Sequence, residues 1–433
     1  MGDEADILII GAGAAGLAAA REVSAAGRKV IVLEARNRIG GRINTHFDQF
    51  PIELGAEFVH GKPPETLTIV ERARLKLQQI PNLHWYLENG RVRKFGEFWS
   101  KVEKVMDEMS RYTGPDQNFA AYLDHYRRKT HIEDIESIAT LYVEGFHAAH
   151  SDQISVLGLN KTNKAAEEIE DDKQFRVENG YAPVVQSLHD DAVAAGSVFH
   201  LNTAVEEVKW QRNQVEVLSG AGGFKAGRLI VTLPLTLLQS SGEQTARVRF
   251  TPALVEIQDA ANRLAMGQVV KVVMRFRDPF WEDSAELKDL TFIHALAEML
   301  PTWWSQFPVR APLLVGWAGG TRADRLSLET EDALLDHAFE SLSHIFRTSK
   351  SFLEQSLVEF FAHNWHKDPY SAGAYSYIPV GGLDAQARLS EPLENTLFFA
   401  GEATNTEGHH GTVHGAIATG LRAARQVNAD GVR

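Results

Sequence analysis

The chain has 433 residues, 44% hydrophobic and 23% charged, an ordinary globular composition whose length suggests two or three core-sized units. Its 44 basic and 57 acidic side chains leave a formal charge of −13, which serves solubility, disfavours nucleic acid and anionic lipid, and favours cationic ligands. There is no cysteine, so disulfides, thiolate metal sites and cysteine nucleophiles are excluded.

No run of about 18 apolar residues occurs, so no membrane-spanning helix is expected. The acidic start, Met1 to Asp6, lacks the basic residues and apolar stretch of a secretory signal, and Asn428 to Arg433 is too polar to anchor in lipid. A cytoplasmic location is the resulting expectation.

Asp6 to Ile10 form an apolar, β-branched run that predicts a short buried strand. It leads into Gly11-Ala12-Gly13-Ala14-Ala15-Gly16, then a predicted helix from about Ala14 to Ala26 that stops at Gly27, and a second strand from Lys29 to Leu33 ending at Glu34. In such a unit Gly11 permits a tight turn, Gly13 lets a pyrophosphate approach the backbone, and Gly16 lets helix and strand pack closely. The helix N-terminus offers free N–H groups to the phosphates. Glu34, 18 residues after Gly16, stands where a carboxylate accepts from ribose hydroxyls. The following Ala35-Arg36-Asn37-Arg38-Ile39-Gly40-Gly41-Arg42 resembles the paired-glycine signature of glutathione-reductase-like flavoproteins, with Arg42 adding charge near the phosphates and Gly41 allowing close contact.

Next comes Glu53-Leu54-Gly55-Ala56-Glu57-Phe58-Val59-His60-Gly61. Helical spacing is expected over Leu67 to Gln79, Phe98 to Tyr112 and Ala139 to Ala149. After the acidic run Glu167 to Asp172, Gly180-Tyr181 marks a return to the first domain, where Thr203 to Val208 and Leu229 to Pro234 predict strands. Gln268 to Phe276 has strong β character, and alternation puts Lys271 on one face with Val269 and Val273. A lysine between valines either reaches solvent or is buried for a purpose, and desolvation would draw its pKa toward neutrality. Trp303 and Trp304 are core candidates that could instead line a pocket. His147 and His150, and the trio His409, His410 and His414, lack accompanying cysteines, so no metal site is expected.

Near the C-terminus, Trp365 to Ser376 precedes a strand from Thr396 to Ala400, then Gly401-Glu402-Ala403-Thr404, then Gly411-Thr412-Val413-His414-Gly415-Ala416 opening a helix rich in small residues. The start of that helix, at Thr412 and Val413, could direct its dipole at a cofactor edge that becomes negative on reduction.

Together these stretches resemble the flavin-containing amine oxidase family, from residue 6 to the region of 425, strongest at the two ends and weakest across 62–170. The Thr412-Val413-His414-Gly415-Ala416 run looks closest to the polyamine oxidase and lysine-specific histone demethylase branch. The implied fold class is mixed α/β and α+β. A glutathione-reductase-like, FAD-binding Rossmann domain (1–61, 175–245 and 361–433) would interleave with a substrate domain, a sheet flanked by helices (62–174 and 246–360). The resemblance implies cofactor contacts from Gly11, Gly13, Ala15, Gly16, Glu34, Ala35, Arg36, Gly41 and Arg42. Gly55, Ala56, Glu57 and Phe58 would lie along the isoalloxazine ring. Val205 would meet the adenine, Thr232 and Pro234 would close the domain, and Trp365, Gly401, Glu402, Thr412 and Val413 would complete the pocket. Lys271 would be the catalytic lysine, water-bridged to flavin N5, with His60 and Tyr375 as substrate contacts.

Two departures carry consequences. Family members with covalent flavin have a cysteine where this chain has Ala374, so FAD is expected to be bound non-covalently. The family's second substrate-sandwiching tyrosine is Thr412 here, which leaves the aromatic cage incomplete beside Tyr375. The expected reaction is oxidation of an amine C–N bond to an imine, possible polyamine substrates included, with oxygen as acceptor and aldehyde and hydrogen peroxide as products. An L-amino-acid oxidase is a rival, but it would carry an arginine where Phe58 stands. Desaturases and porphyrinogen oxidases share the N-terminal motifs without a Lys271 counterpart, and a flavin-bound protein without turnover is the non-enzymatic alternative.

Overall fold

The computed structural model describes residues 3–94, 97–130, 134–239 and 246–429. The apolar N-terminal run forms a strand, Asp3–Ile10, at the centre of a large sheet. On one side it pairs in parallel with Val30–Leu33, which pairs with Val198–His200. On the other side it pairs in parallel with Gly222–Val231. That last strand serves two systems. Its first half makes an antiparallel ladder with Gln214–Ser219, which continues to Val205–Gln211, while Leu229 to Val231 pair in parallel with Leu397–Phe399. Strand Arg249–Thr251 joins the same sheet beside Val205–Gln211, and helix Val255–Asn262 packs into the core beneath it.

One face of this sheet is covered by helices Ala14–Ala25, Ala182–Ala194 and Val413–Ala429. Small side chains let them approach closely: a Cβ added at Gly420 would lie 2.2 Å from the Ala15 carbonyl oxygen. Helix Ala14–Ala25 ends as its sequence predicts, at Ala26 followed by Gly27 with φ +80°.

A second sheet has seven strands in the order Leu357–Ala362, Val269–Phe276, Leu313–Gly319, Thr302–Ser305, Phe292–His294, His84–Glu88 and Arg91–Lys94. Alternation along Val269–Phe276 sorts its residues. Val270, Val272, Met274 and Phe276 enter a core with helix Glu331–Phe346, whereas Val269 and Lys271 face a cavity. Trp303 and Trp304 divide in the same way: the Trp303 indole donates to Leu300 O and Ser341 Oγ inside the core, while Trp304 lines the cavity.

The helix expected over Leu67 to Gln79 is Pro64–Arg72. Arg74, at φ +54°, turns the chain out of it, and Leu77–Ile80 instead forms a strand paired with Gln174–Val177. Long-range pairing overrides the local helical spacing there. The other two expected helices run Glu97–Ser110 and Asp134–His147. Among the described residues, no helix is long and apolar enough to cross a membrane.

Candidate active site

One cavity of about 1260 Å³ runs from the N-terminal glycine turn to the inner face of the second sheet. At its first end, Gly11 has φ +100°, a conformation that favours glycine. A Cβ at Gly16 would lie 1.9 Å from the Gly11 carbonyl oxygen, so helix and strand meet there without room for a side chain. At Gly13 a Cβ would meet nothing within 4 Å and would project into the cavity. The turn is therefore a cradle that a side chain at 13 would fill, which is what a pyrophosphate requires. Thr232 Oγ donates to Ile10 O at 2.7 Å and braces the turn from below. Glu34 is buried and accepts from Ala12 N and Arg36 N, each at 2.8 Å, at the mouth of the same cradle. Ala15, Ala35, Arg36, Gly41, Val205 and Pro234 share the wall. These residues fit a dinucleotide cofactor.

Arg42 does not project its charge freely toward this cradle. Its guanidinium donates to Glu402 Oε1 at 2.9 Å and to Ala374 O at 2.7 Å. Burial alone would raise the Glu402 pKa, but Arg42, the Ser376 hydroxyl and the Gly411 N–H together hold it below the usual carboxylate range. Arg36 is likewise tied down, paired with Asp368 and bonded to Ser371 Oγ at 3.1 Å. The Trp365 indole donates to Leu54 O at 2.9 Å and packs on Gly55, fixing the segment that carries Ala56 and Glu57. Thr412 Oγ accepts from Gly415 N at 3.0 Å and caps helix Val413–Ala429, whose first residues line the cavity beside Gly401.

Lys271 is buried, but it is not alone. Its Nζ donates to Glu57 Oε2 at 2.7 Å and to Gly55 O at 3.2 Å. Glu57 also accepts from Arg176 Nε at 2.8 Å and from Trp304 Nε1 at 3.0 Å. Burial would push the Glu57 carboxyl up, yet the two cations hold it down at about 2. Lys271 thus works as half of a compensated ion pair and not as an isolated desolvated amine. Glu57, expected as a wall residue, is its counter-ion. The one sequence clue was that a lysine buried among valines needs such a partner.

Trp317, directly across the ladder from Lys271, lines the cavity next to Trp304, with ring centroids 6.0 Å apart. Phe58 packs against Trp304 at 5.5 Å with the Arg176 guanidinium 4.9 Å from its ring. Tyr375 faces the same space, and its hydroxyl donates to Phe146 O at 2.8 Å. His60 lies edge-on to Phe146 at 5.5 Å, and burial lowers its pKa to about 4, so its imidazole is neutral near pH 7. The cavity therefore brings together Lys271, His60 and Tyr375 with the glycine cradle and the start of the last helix. His150 pairs with Asp324 at 2.9 Å, and among the described residues no three His, Cys, Asp or Glu side chains group as metal ligands.

The chain matches the family model for flavin containing amine oxidoreductases over residues 14–428. Polyamine oxidase 3 of Oryza sativa subsp. japonica is 27% identical, the match covering 97% of this chain and 88% of that protein. Lysine-specific histone demethylase 1 homolog 2 of Arabidopsis thaliana is 28% identical over 98% of this chain, but only 59% of that protein. Wild-type putrescine oxidase bound to putrescine superposes with a TM-score of 0.83 at 22% identity, covering 98% of this chain and 99% of that one. Cyclohexylamine oxidase from Brevibacterium oxydans IH-35A gives 0.82 at 20% identity, covering 99% of this chain and 100% of that one. At these identities the structures show a shared fold. The family match, across nearly the whole chain from residue 14 onward, makes this protein an FAD-dependent member of the flavin-containing amine oxidoreductases.

Proposed function

We propose that the protein oxidises a primary or secondary amine, with polyamines the leading class, using non-covalently held FAD and molecular oxygen. Bound FAD supplies the acceptor for a hydride from the carbon next to nitrogen. Loss of that hydride and of an N–H proton leaves an imine, which water hydrolyses to an aldehyde. Oxygen takes up the two electrons with two protons and leaves as hydrogen peroxide.

In this reading the Gly11–Gly16 turn and the helix after it bind the pyrophosphate, and Glu34 keeps its two backbone donors while its remaining lone pairs accept ribose hydroxyls. Ala374 offers no thiol for a flavin bond. Gly55, Ala56, Trp365, Thr412 and Val413, which line the cavity, would wall the ring. Lys271 has three N–H groups; two are donated to Glu57 and Gly55, and the third would be left to hold a water once FAD is bound. Tyr375 attracts the arriving ammonium through its ring face and orients the amine. The residues 1–61, 175–245 and 361–433 act as the cofactor unit, with 62–174 and 246–360 forming the substrate unit and Arg249–Thr251 extending the cofactor sheet. A cytoplasmic site of action is part of the proposal.

The observation that carries the reading is the single cavity containing both the dinucleotide cradle and the Lys271–Glu57 pair. The amino-acid oxidase alternative is weakened by Arg176. It lies beside Phe58, yet its donors go to Glu57, Ser305 O and Phe307 O, and it does not line the cavity. The test is a peroxide assay over polyamines, monoamines and L-amino acids, paired with anaerobic bleaching of the flavin. If no amine reduces the bound flavin anaerobically, the reading fails. Denaturation should release all yellow colour into the protein-free filtrate.

A further inference from the structure

Thr412 leaves the site with a single tyrosine, and the fold sets a different ring beside it. Trp317 lies directly across the antiparallel ladder from Lys271, and such pairs share one face of a sheet with Cβ atoms about 5 Å apart. Trp317 also packs on a small apolar patch of Ala148, Val269 and Ala374, and Tyr375 packs on the same patch. Both rings line the cavity and both are only half-buried, so each keeps surface open to a visitor. Trp317 is therefore a neighbour of Lys271 in the sheet and shares its footing with Tyr375.

One helix end fixes the two rings. Helix Asp134–His147 stops before Ala148, whose φ of +51° turns the chain away, and the last carbonyls of a helix have no partner within it. The rings take two of these carbonyls. The Trp317 indole N–H donates to Gly145 O at 2.9 Å, and the Tyr375 hydroxyl donates to Phe146 O at 2.8 Å. Glycines let the strands come close enough. A Cβ at Gly319, two residues after Trp317, would lie 2.5 Å from Glu144 O. One at Gly267, opposite Tyr375 in its ladder, would lie 2.3 Å from Ala148 O. With each polar tip bonded to a backbone carbonyl, the rings are tethered and offer hydrocarbon to the cavity. Trp304, its ring centroid 6.0 Å from that of Trp317, extends the same wall.

We propose that Trp317 is a specificity-determining residue: with Tyr375 it forms an aromatic seat for the carbon chain next to the amine nitrogen, and its indole limits the bulk that the seat admits. The proposal rests on the reading of Lys271 and Tyr375 as groups of an amine site. A slender chain buried against two fixed rings gains about 4-fold in affinity with every methylene it adds. A cage-shaped amine gains nothing comparable, because tethered walls in a packed interior do not move aside without cost.

The test uses the flavin-loaded enzyme, its flavin photoreduced under nitrogen so that no amine can be oxidised, and reads amine binding by calorimetry. From ethylamine through propylamine to butylamine, the affinity of the wild type should rise about 4-fold per methylene. Trp317→Ala removes one of the two walls, so the increment should fall to about 2-fold, while 1-adamantylamine should bind more tightly than it does to the wild type. Trp317→Leu gives the same comparison if the alanine variant does not fold. Trp317→Phe, which keeps a ring but gives up the bond to Gly145, should retain most of the increment. An increment unchanged by the loss of the indole overturns the proposal. So does a loss of equal size for all four amines, which is what a merely structural tryptophan would give. Binding here needs no turnover: an enzyme that shows these increments yet oxidises no amine would defeat the proposed function and leave the seat in place.

Discussion

Replacing Glu57 with alanine leaves two buried cations without their anion and should lower the unfolding free energy by about 3–5 kcal/mol. The contacts at stake are Lys271 Nζ at 2.7 Å and Arg176 Nε at 2.8 Å, with the lysine side chain 2% exposed and the carboxylate 5%. At an effective dielectric of about 20, each charge pair at such a distance attracts with about 6 kcal/mol before desolvation is subtracted. Desolvation offsets much of that in the intact cluster. The variant keeps the buried cations and loses the attraction, which is why deletion costs more than the cluster contributes. The assay is urea unfolding of Glu57→Ala, Lys271→Met and the double variant at pH 7. The double variant should be more stable than the sum of single effects predicts, by about 1–3 kcal/mol. The sign of the pH dependence follows from the carboxyl's fall from 4.5 to about 2 on folding. Its stabilising contribution is fully present above pH 4.5 and is lost as pH falls toward 2, so wild type and variant should converge in acid. A loss below about 1 kcal/mol, as for an exposed pair, or strict additivity, would refute the cluster's role.

Glu53 should behave in the opposite sense. Burial raises its carboxyl from 4.5 to about 7, against the Tyr181 N–H, Lys271 and Thr45. The stability linked to that raised value is present below pH 4.5 and lost as pH rises through 7. Glu53→Gln should therefore gain on the wild type by about 3 kcal/mol between pH 4.5 and 8 in unfolding measurements, and parallel curves would count against it. At the cradle, Gly13→Val should fold with the wild-type far-ultraviolet spectrum but bind no flavin, because its side chain enters the cavity. Gly16→Val should lose fold and flavin together, because the Gly11 carbonyl blocks it. Lys271→Met should retain FAD, since Arg176 still partners Glu57, and should slow flavin reduction or reoxidation in stopped-flow traces. Loss of FAD would instead make the lysine structural.

The parts of the site that were legible in the sequence are those set by neighbouring residues. Gly11, Gly13, Gly16 and Glu34 encode a turn, a close approach and a terminal acid within one strand–helix–strand unit. Lys271 stood out because its strand neighbours are valines. Its partner was not legible: Glu57 lies 214 residues away, and no local pattern distinguishes a counter-ion from a wall residue. Arg42 and Glu402 show the same limit. Each was readable as a polar residue near the cofactor, but their bond to each other spans 360 residues. Leu77–Ile80 became a strand because Gln174–Val177 offers it a partner, information absent from the helical spacing around it.

The close packing of Gly420 on Ala15 has a consequence for how the protein matures. Helix Ala14–Ala25 emerges from the ribosome long before the helix that packs over Ala15, Val413–Ala429. The strand Leu397–Phe399, which extends the parallel sheet beside the Gly11 turn, also follows far behind it. A nascent chain lacking these segments leaves apolar surface on its first βαβ unit exposed and its nucleotide cradle unsupported. Cofactor loading must therefore follow synthesis of helix Val413–Ala429, and truncation within 413–429 should yield a colourless, chaperone-dependent chain although every residue of the glycine turn is present.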